Sequence, residues 1–242
     1  MPPALKWMSV AALVAGSFAW GTAVGFYRVF PYDQVRQIKN LVEGDPGPPP
    51  RQMFVNPRTF VNADVDLISS ATADVVMVGD SITNLGRWNE YFPNTRIINR
   101  GVGGDTISGV LRRSPEILAR RPRQIFLYIG VNDVVSGNTN EEILPVYDAV
   151  IRRLGSQGAT VYVQSIACGE RCSDEQMAQL AELNAALATL ARQRGAQFVD
   201  LARALGGPWR MNPTYTHDGL HFTGEGYRRW IETIRPHVEG QH

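Results

Sequence analysis

Five short runs of β-forming residues recur along most of this chain: VVMVGD (75–80), RIINR (96–100), QIFLYIG (124–130), TVYVQSI (160–166) and QFVD (197–200). They read as buried strands. Between them, residues 141–154 and 173–194 carry apolar side chains at helical spacing. In the second segment Ser173 and Gln176 form a capping box, Met177, Leu180, Leu183, Leu187 and Leu190 make an apolar stripe, and Gly195 supplies the stop. Pro115 after Ser114 predicts the first turn of another short helix. Tyr227, Trp230, Ile231 and Ile234 line one face of a last one. Strands alternating with helices require a parallel sheet covered on both faces, an α/β fold.

In such sheets ligands bind beyond the carboxyl ends of the strands, so the residues following each apolar run carry the functional reading. After the first run comes GDSIT (79–83), where a serine at a strand-to-helix turn can present its hydroxyl beside backbone N–H groups. Asp and Ser are equally ordinary helix caps. After the second comes NRGVGGDT (99–106), whose glycines let a backbone approach a ligand, or simply make a turn capped by Asp105 or Thr106. It is no nucleotide loop, because the Lys-Ser/Thr pair and the later glycine are missing. After the third comes GVND (130–133), in which Asn132 can donate its amide to an oxyanion or close an Asx turn. Near the end, THDGLHFTG (216–224) sets His217 and His221 around Asp218.

Together, GDSIT, RGVGGDT, GVND and DGLH match in order and kind the pattern of the SGNH/GDSL hydrolases, which this chain resembles from about residue 74 to residue 237. The resemblance implies a flavodoxin-like, three-layer α/β/α fold with a parallel sheet of about five strands. Trp88 and RGVGGDT are similar to the acetylhydrolase and lysophospholipase-like branch. Carried onto this chain, the resemblance makes Ser81 the nucleophile and Asp218 and His221 its triad partners. The oxyanion hole falls to the N–H groups of Ser81 and Gly104 and the side-chain amide of Asn132.

The chemistry of these residue types agrees. A serine hydroxyl needs a base within hydrogen-bond reach, and the imidazole needs a carboxylate on its other nitrogen. His221 is therefore expected to be the base and His217 a solvent-facing neighbour. The expected activity is cofactor-free, metal-independent hydrolysis of short acyl esters, such as acetyl esters of carbohydrate or lipid, through an acyl-enzyme. The alternatives are an O-acyltransferase using the same triad, a non-catalytic binding module, and a metal hydrolase built on His217, Asp218 and His221. The last lacks a further ligand cluster. Short segments between the blocks leave no lid, which predicts an open site and a small acyl group.

The N-terminal part is of another kind. Residues 8–27, MSVAALVAGSFAWGTAVGFY, form an uncharged run flanked by Lys6 and Arg28, long enough to span a bilayer. The expected organisation is a membrane anchor or signal segment as a hydrophobic helix (1–28), a juxtamembrane and Pro/Gly-rich linker (29–52), and the hydrolase domain (53–242). A count of basic residues alone would keep the domain cytoplasmic. A basic tip before an apolar run, and Cys168 and Cys172 in CGERC, favour an exported, extracytoplasmic domain instead. Those two cysteines are either bridged or free thiols. With 24 basic and 23 acidic residues scattered along the chain, there is no electrostatic footprint for nucleic acid.

Overall fold

The computed structural model describes residues 71–207 and 210–240. The expected N-terminal hydrophobic helix and linker lie outside these residues. Strands β1 (Val75–Gly79), β2 (Ile97–Gly101), β3 (Gln124–Tyr128), β4 (Thr160–Gln164) and β5 (Gln197–Val199) form one sheet in the order β2-β1-β3-β4-β5. Every pairing is parallel, with Val75 opposite Ile97 on one side and Gln124 on the other. This is the flavodoxin-like order, and its topological switch lies between β1 and β3.

The central strand β1 is apolar and buried along its whole length because both its faces are covered, whereas the edge strand β2 also carries Asn99 and Arg100. Val76, Val78, Ile125 and Leu127 point into one core, with Ile107, Ile117, Tyr147, Leu154, Leu183 and Leu187. Those partners come from α3 (Ile107–Ala119), α5 (Asn140–Gly155) and α6 (Asp174–Gln193). The alternate residues Val75, Met77, Phe126 and Tyr128 face a second core containing Trp88, Phe92, Leu201, Trp230 and Ile234. That side is built by α1 (Ser81–Leu85), α2 (Trp88–Tyr91), α7 (Leu201–Ala204) and α8 (Gly224–Val238). The period of two thus sorts each strand between two cores.

Helix boundaries follow their caps. Ser173 and Gln176 make the expected capping box on α6, and Thr139 with Glu142 makes a second one on α5. Pro115 is a correction: it sits inside α3, which begins eight residues earlier at Ile107. The Thr106 hydroxyl accepts the Gly109 N–H and starts the helix there. A proline nine residues in removes one helical hydrogen bond, which the packing of Ile117 and Leu118 outweighs. Trp88, part of the family signature, is core: it is buried, its indole N–H donates to Thr83 O at 2.9 Å, and its ring meets Trp230 edge-on.

Candidate active site

Ser81 opens α1 directly after β1. Buried Asp80 caps that short helix by accepting the Ile82 N–H at 2.9 Å. The other end of α1 is held from β2, where the Asn99 amide nitrogen lies within 3.1 Å of the carbonyls of Thr83, Asn84 and Gly86. From α8 the Tyr227 hydroxyl donates to Ile82 O at 2.6 Å. The turn that carries Ser81 is therefore fixed by groups from three separate segments. Its close packing also explains two glycines: a Cβ at Gly79 would lie 2.1 Å from Thr83 Oγ1, and one at Gly101 would lie 2.1 Å from the Asn84 nitrogen.

Asp218 and His221 occupy the tip of a narrow hairpin closed by an antiparallel bridge between Thr216 and Phe222. Gly219 turns the chain with φ +82°. Asp218 Oδ1 accepts the N–H groups of Leu220 and His221 at 3.0 and 2.8 Å, an Asx turn, while Oδ2 lies 2.8 Å from His221 Nδ1. Partial burial pushes the Asp218 carboxyl up, but these three N–H groups hold it down at about 2. It is ionised at neutral pH and can only accept, so Nδ1 carries the ring hydrogen. The Nε2 lone pair then faces Ser81 Oγ, 3.0 Å away. The structure thus brings Ser81, His221 and Asp218 into one hydrogen-bonded line.

The site is open, with 34% of the His221 side chain and 40% of the Asp218 side chain exposed. His217 stands apart. Its backbone N–H bonds His221 O at 3.0 Å, but its exposed side chain makes no hydrogen bond among the described residues. No cluster of three or more His, Cys, Asp or Glu placed to hold a metal occurs among the described residues.

Asn132 lies in α4 (Val131–Val135), entered through Gly130 at φ +125°. Its amide donates to Asp105 O at 2.9 Å, and the neighbouring Asp133 carboxylate accepts the Ile107 N–H at 3.1 Å. These bonds tie the turn after β3 to the glycine turn after β2, in which Gly104 has φ +73°. The N–H groups of Ser81, at the first position of α1, and of Gly104 have no protein acceptor among the described residues.

What lies beneath is not visible in the sequence. Asp105 is buried and ion-paired to buried Arg113 at 2.8 Å; Arg113 also donates to Gly79 O at 3.1 Å. Glu116, also buried, meets Arg113 at 3.5 Å and Arg100 at 3.0 Å. Burial pushes the Asp80 carboxyl up to about 7, countered by the Ile82 N–H and reinforced by Asp105. Burial likewise pushes Asp133 up to about 7. The signal in the sequence was Arg113, Glu116 and Arg120 on one face of a helix, a pattern that ordinarily marks a solvated surface.

Comparison with known proteins places the chain. Over 168 residues it is 26% identical to the N-acylneuraminate cytidylyltransferase of Streptococcus agalactiae serotype V, covering 69% of this chain but 39% of that protein. The chain therefore spans about two-fifths of that relative. Over 174 residues it is 29% identical to the isoamyl acetate-hydrolyzing esterase of Saccharomyces cerevisiae, covering 62% of this chain and 72% of the esterase. A GDSL-like lipase structure from Bacteroides thetaiotaomicron shares the fold, with TM-score 0.64, 22% identity, 75% of this chain covered and 96% of that one. The sequence profile of the GDSL-like lipase/acylhydrolase family matches residues 77–229, a span running from β1 through the hairpin into α8, and the chain belongs to that family.

Proposed function

We propose that this protein is a serine ester hydrolase acting on short acyl esters, with Ser81 as nucleophile, His221 as general base and Asp218 as its orienting carboxylate. One observation carries the reading: the line from Ser81 Oγ to His221 Nε2 at 3.0 Å and from Nδ1 to Asp218 Oδ2 at 2.8 Å. In this reading Oγ attacks the ester carbonyl while His221 takes its proton, and the imidazolium returns that proton to the departing alcohol. Water then repeats the sequence on the acyl-enzyme. The Ser81 and Gly104 N–H groups and the Asn132 amide receive the oxyanion, a contribution typically of 10²–10³-fold per donor.

A small acyl group is supported by the open site and by the yeast relative, whose name describes hydrolysis of an acetate ester. A carbohydrate or lipid alcohol would suit a domain tethered by residues 8–27. The bridge between Cys168 and Cys172 supports an oxidising, extracytoplasmic compartment. The test is labelling by a fluorophosphonate probe followed by a chain-length series of aryl esters, with and without chelator. Labelling with a preference for acetyl or butyryl esters, unaffected by chelator, is the expected result. An unlabelled protein, or activity abolished by chelator, would defeat the proposal.

A further inference from the structure

The CGERC segment is absorbed neither by the triad nor by the oxyanion donors, yet it is built into the hairpin that carries both Asp218 and His221. Cys168 and Cys172 are bridged and buried, four residues apart, closing a small ring of backbone. From this ring the Gly169 N–H donates to Gly219 O at 2.7 Å, and the Arg171 N–H approaches the same oxygen at 3.4 Å. The bridged Cys168 sulfur, which carries no proton, lies against it at 3.8 Å.

That carbonyl belongs to the same peptide plane as the Leu220 N–H, which donates to Asp218 Oδ1 at 3.0 Å. One rigid plane thus has its oxygen on the disulfide ring and its hydrogen on the triad carboxylate. The two segments also interlock sterically. A Cβ at Gly169 would lie 2.9 Å from Gly219 O, and one at Gly219 would lie 2.5 Å from the Arg171 nitrogen. The ring is itself anchored from the far side, where the Met211 N–H donates to Cys168 O at 2.9 Å and Arg210 Nη1 to Gly169 O at 2.8 Å.

We infer that the Cys168–Cys172 ring is the positioning element of the acid–base hairpin, and that opening the bridge lowers turnover by releasing the Gly219–Leu220 peptide from its fixed orientation. The inference rests on the proposed triad. Without the bridge, residues 168–172 regain conformational freedom, and the Gly169 N–H no longer meets a fixed carbonyl. The Leu220 N–H then turns off Asp218, and the imidazole loses its registry with Ser81. Misplacements of this order cost roughly ten- to a hundredfold in rate. Reduction by a phosphine balances as one S–S bond broken, one water consumed, two thiols formed and the phosphine converted to its oxide.

The experiment measures turnover per fluorophosphonate-labelled site in the full chain, in three states: oxidised, phosphine-reduced to two titratable thiols, and Cys168→Ser/Cys172→Ser. Counting labelled sites separates positioning from unfolding, since an unfolded fraction lowers the count but not the turnover of each site. The expected result is a fall of about tenfold or more in kcat per site with KM changed less than about twofold, recovered when a small disulfide reoxidises the reduced enzyme. Gly169→Ala, which keeps the bridge but presses on Gly219 O, is expected to lower kcat per site in the same way. Unchanged turnover per site in protein whose two thiols are fully titrated overturns the inference, whatever the double variant does. If oxidised wild-type protein takes up no label, the serine reading fails, and this inference falls with it.

Discussion

Both carboxylate oxygens of Asp218 are committed to His221: Oδ1 accepts its backbone N–H and Oδ2 its ring Nδ1, each at 2.8 Å. One side chain therefore fixes where the imidazole stands and which nitrogen holds the hydrogen. Asp218→Asn can keep only one of these acceptors, and its amide group turned to Nδ1 would enforce the wrong tautomer. A fall in kcat of about 10⁴ is expected, with the fold intact by circular dichroism. Activity within tenfold of wild type would show that the carboxylate does not orient the base.

The two histidines of THDGLHFTG separate cleanly. His221→Ala and Ser81→Ala are each expected to lower kcat by roughly 10⁴ or more, and the double variant by little beyond either, because triad members act as a unit. His217→Ala leaves the bond from its backbone N–H to His221 O in place, and is expected to retain most activity. Steady-state kinetics on one aryl acetate checks all four variants; an inactive His217→Ala would contradict the assignment.

Asn132→Ala removes one of the proposed oxyanion donors and, with it, the bond to Asp105 O. The expected loss is about 10²–10³ in kcat with KM nearly constant. A change confined to KM would make Asn132 a binding residue instead.

How much of this was legible beforehand depends on the kind of signal. Strands such as VVMVG announce themselves because both faces are covered, and Ser81 and Asn132 stand just past the carboxyl ends of β1 and β3, whereas the Asp218–His221 pair follows no strand and is legible only as the DGLH block of the family pattern. The start of α3 is hidden because Pro115 is a stronger local mark than Thr106, although the threonine makes the cap. Arg113 could not be read as buried, since its partner Asp105 and its acceptor Gly79 O come from other segments. The contact between CGERC and Gly219 is equally nonlocal: glycines and cysteines are visible in a sequence, but not whom they touch.

That buried Arg113 gives a stability prediction. Arg113→Met takes from the buried Asp105 carboxylate the cation that stands 2.8 Å from it, at an expected cost of about 3–5 kcal/mol in unfolding free energy. Arg113→Met/Asp105→Asn removes both charges and is expected to recover part of that loss. Urea denaturation of the three proteins tests it, and an unchanged midpoint for Arg113→Met would refute it.

Acid groups of opposite character set the pH response. Burial holds Asp80 and Asp133 at about 7, above the value of roughly 4 in an unfolded chain, so the folded protein keeps protons that the unfolded chain releases between about pH 4 and 7. Stability from these groups falls as pH rises through that window. Asp218, held at about 2, acts the other way: its contribution is present above about pH 4 and lost as pH falls toward 2. Asp80→Asn keeps an acceptor for the Ile82 N–H and is expected to flatten the decline in melting temperature from pH 5 to pH 8. An equally steep decline in the variant would show that Asp80 does not titrate there.

Ser81 and His221 are 140 residues apart in sequence, and α8, which follows the hairpin, reaches back through the Tyr227 hydroxyl to Ile82 O. Closing so long a loop comes late for a chain whose other contacts include many local helical ones. A polypeptide still emerging from the ribosome would hold its serine, its glycine turn and its asparagine for most of synthesis with no base beside them. In refolding, labelling of Ser81 is therefore expected to lag behind the recovery of helical ellipticity, and labelling that recovers first would contradict late docking of the hairpin.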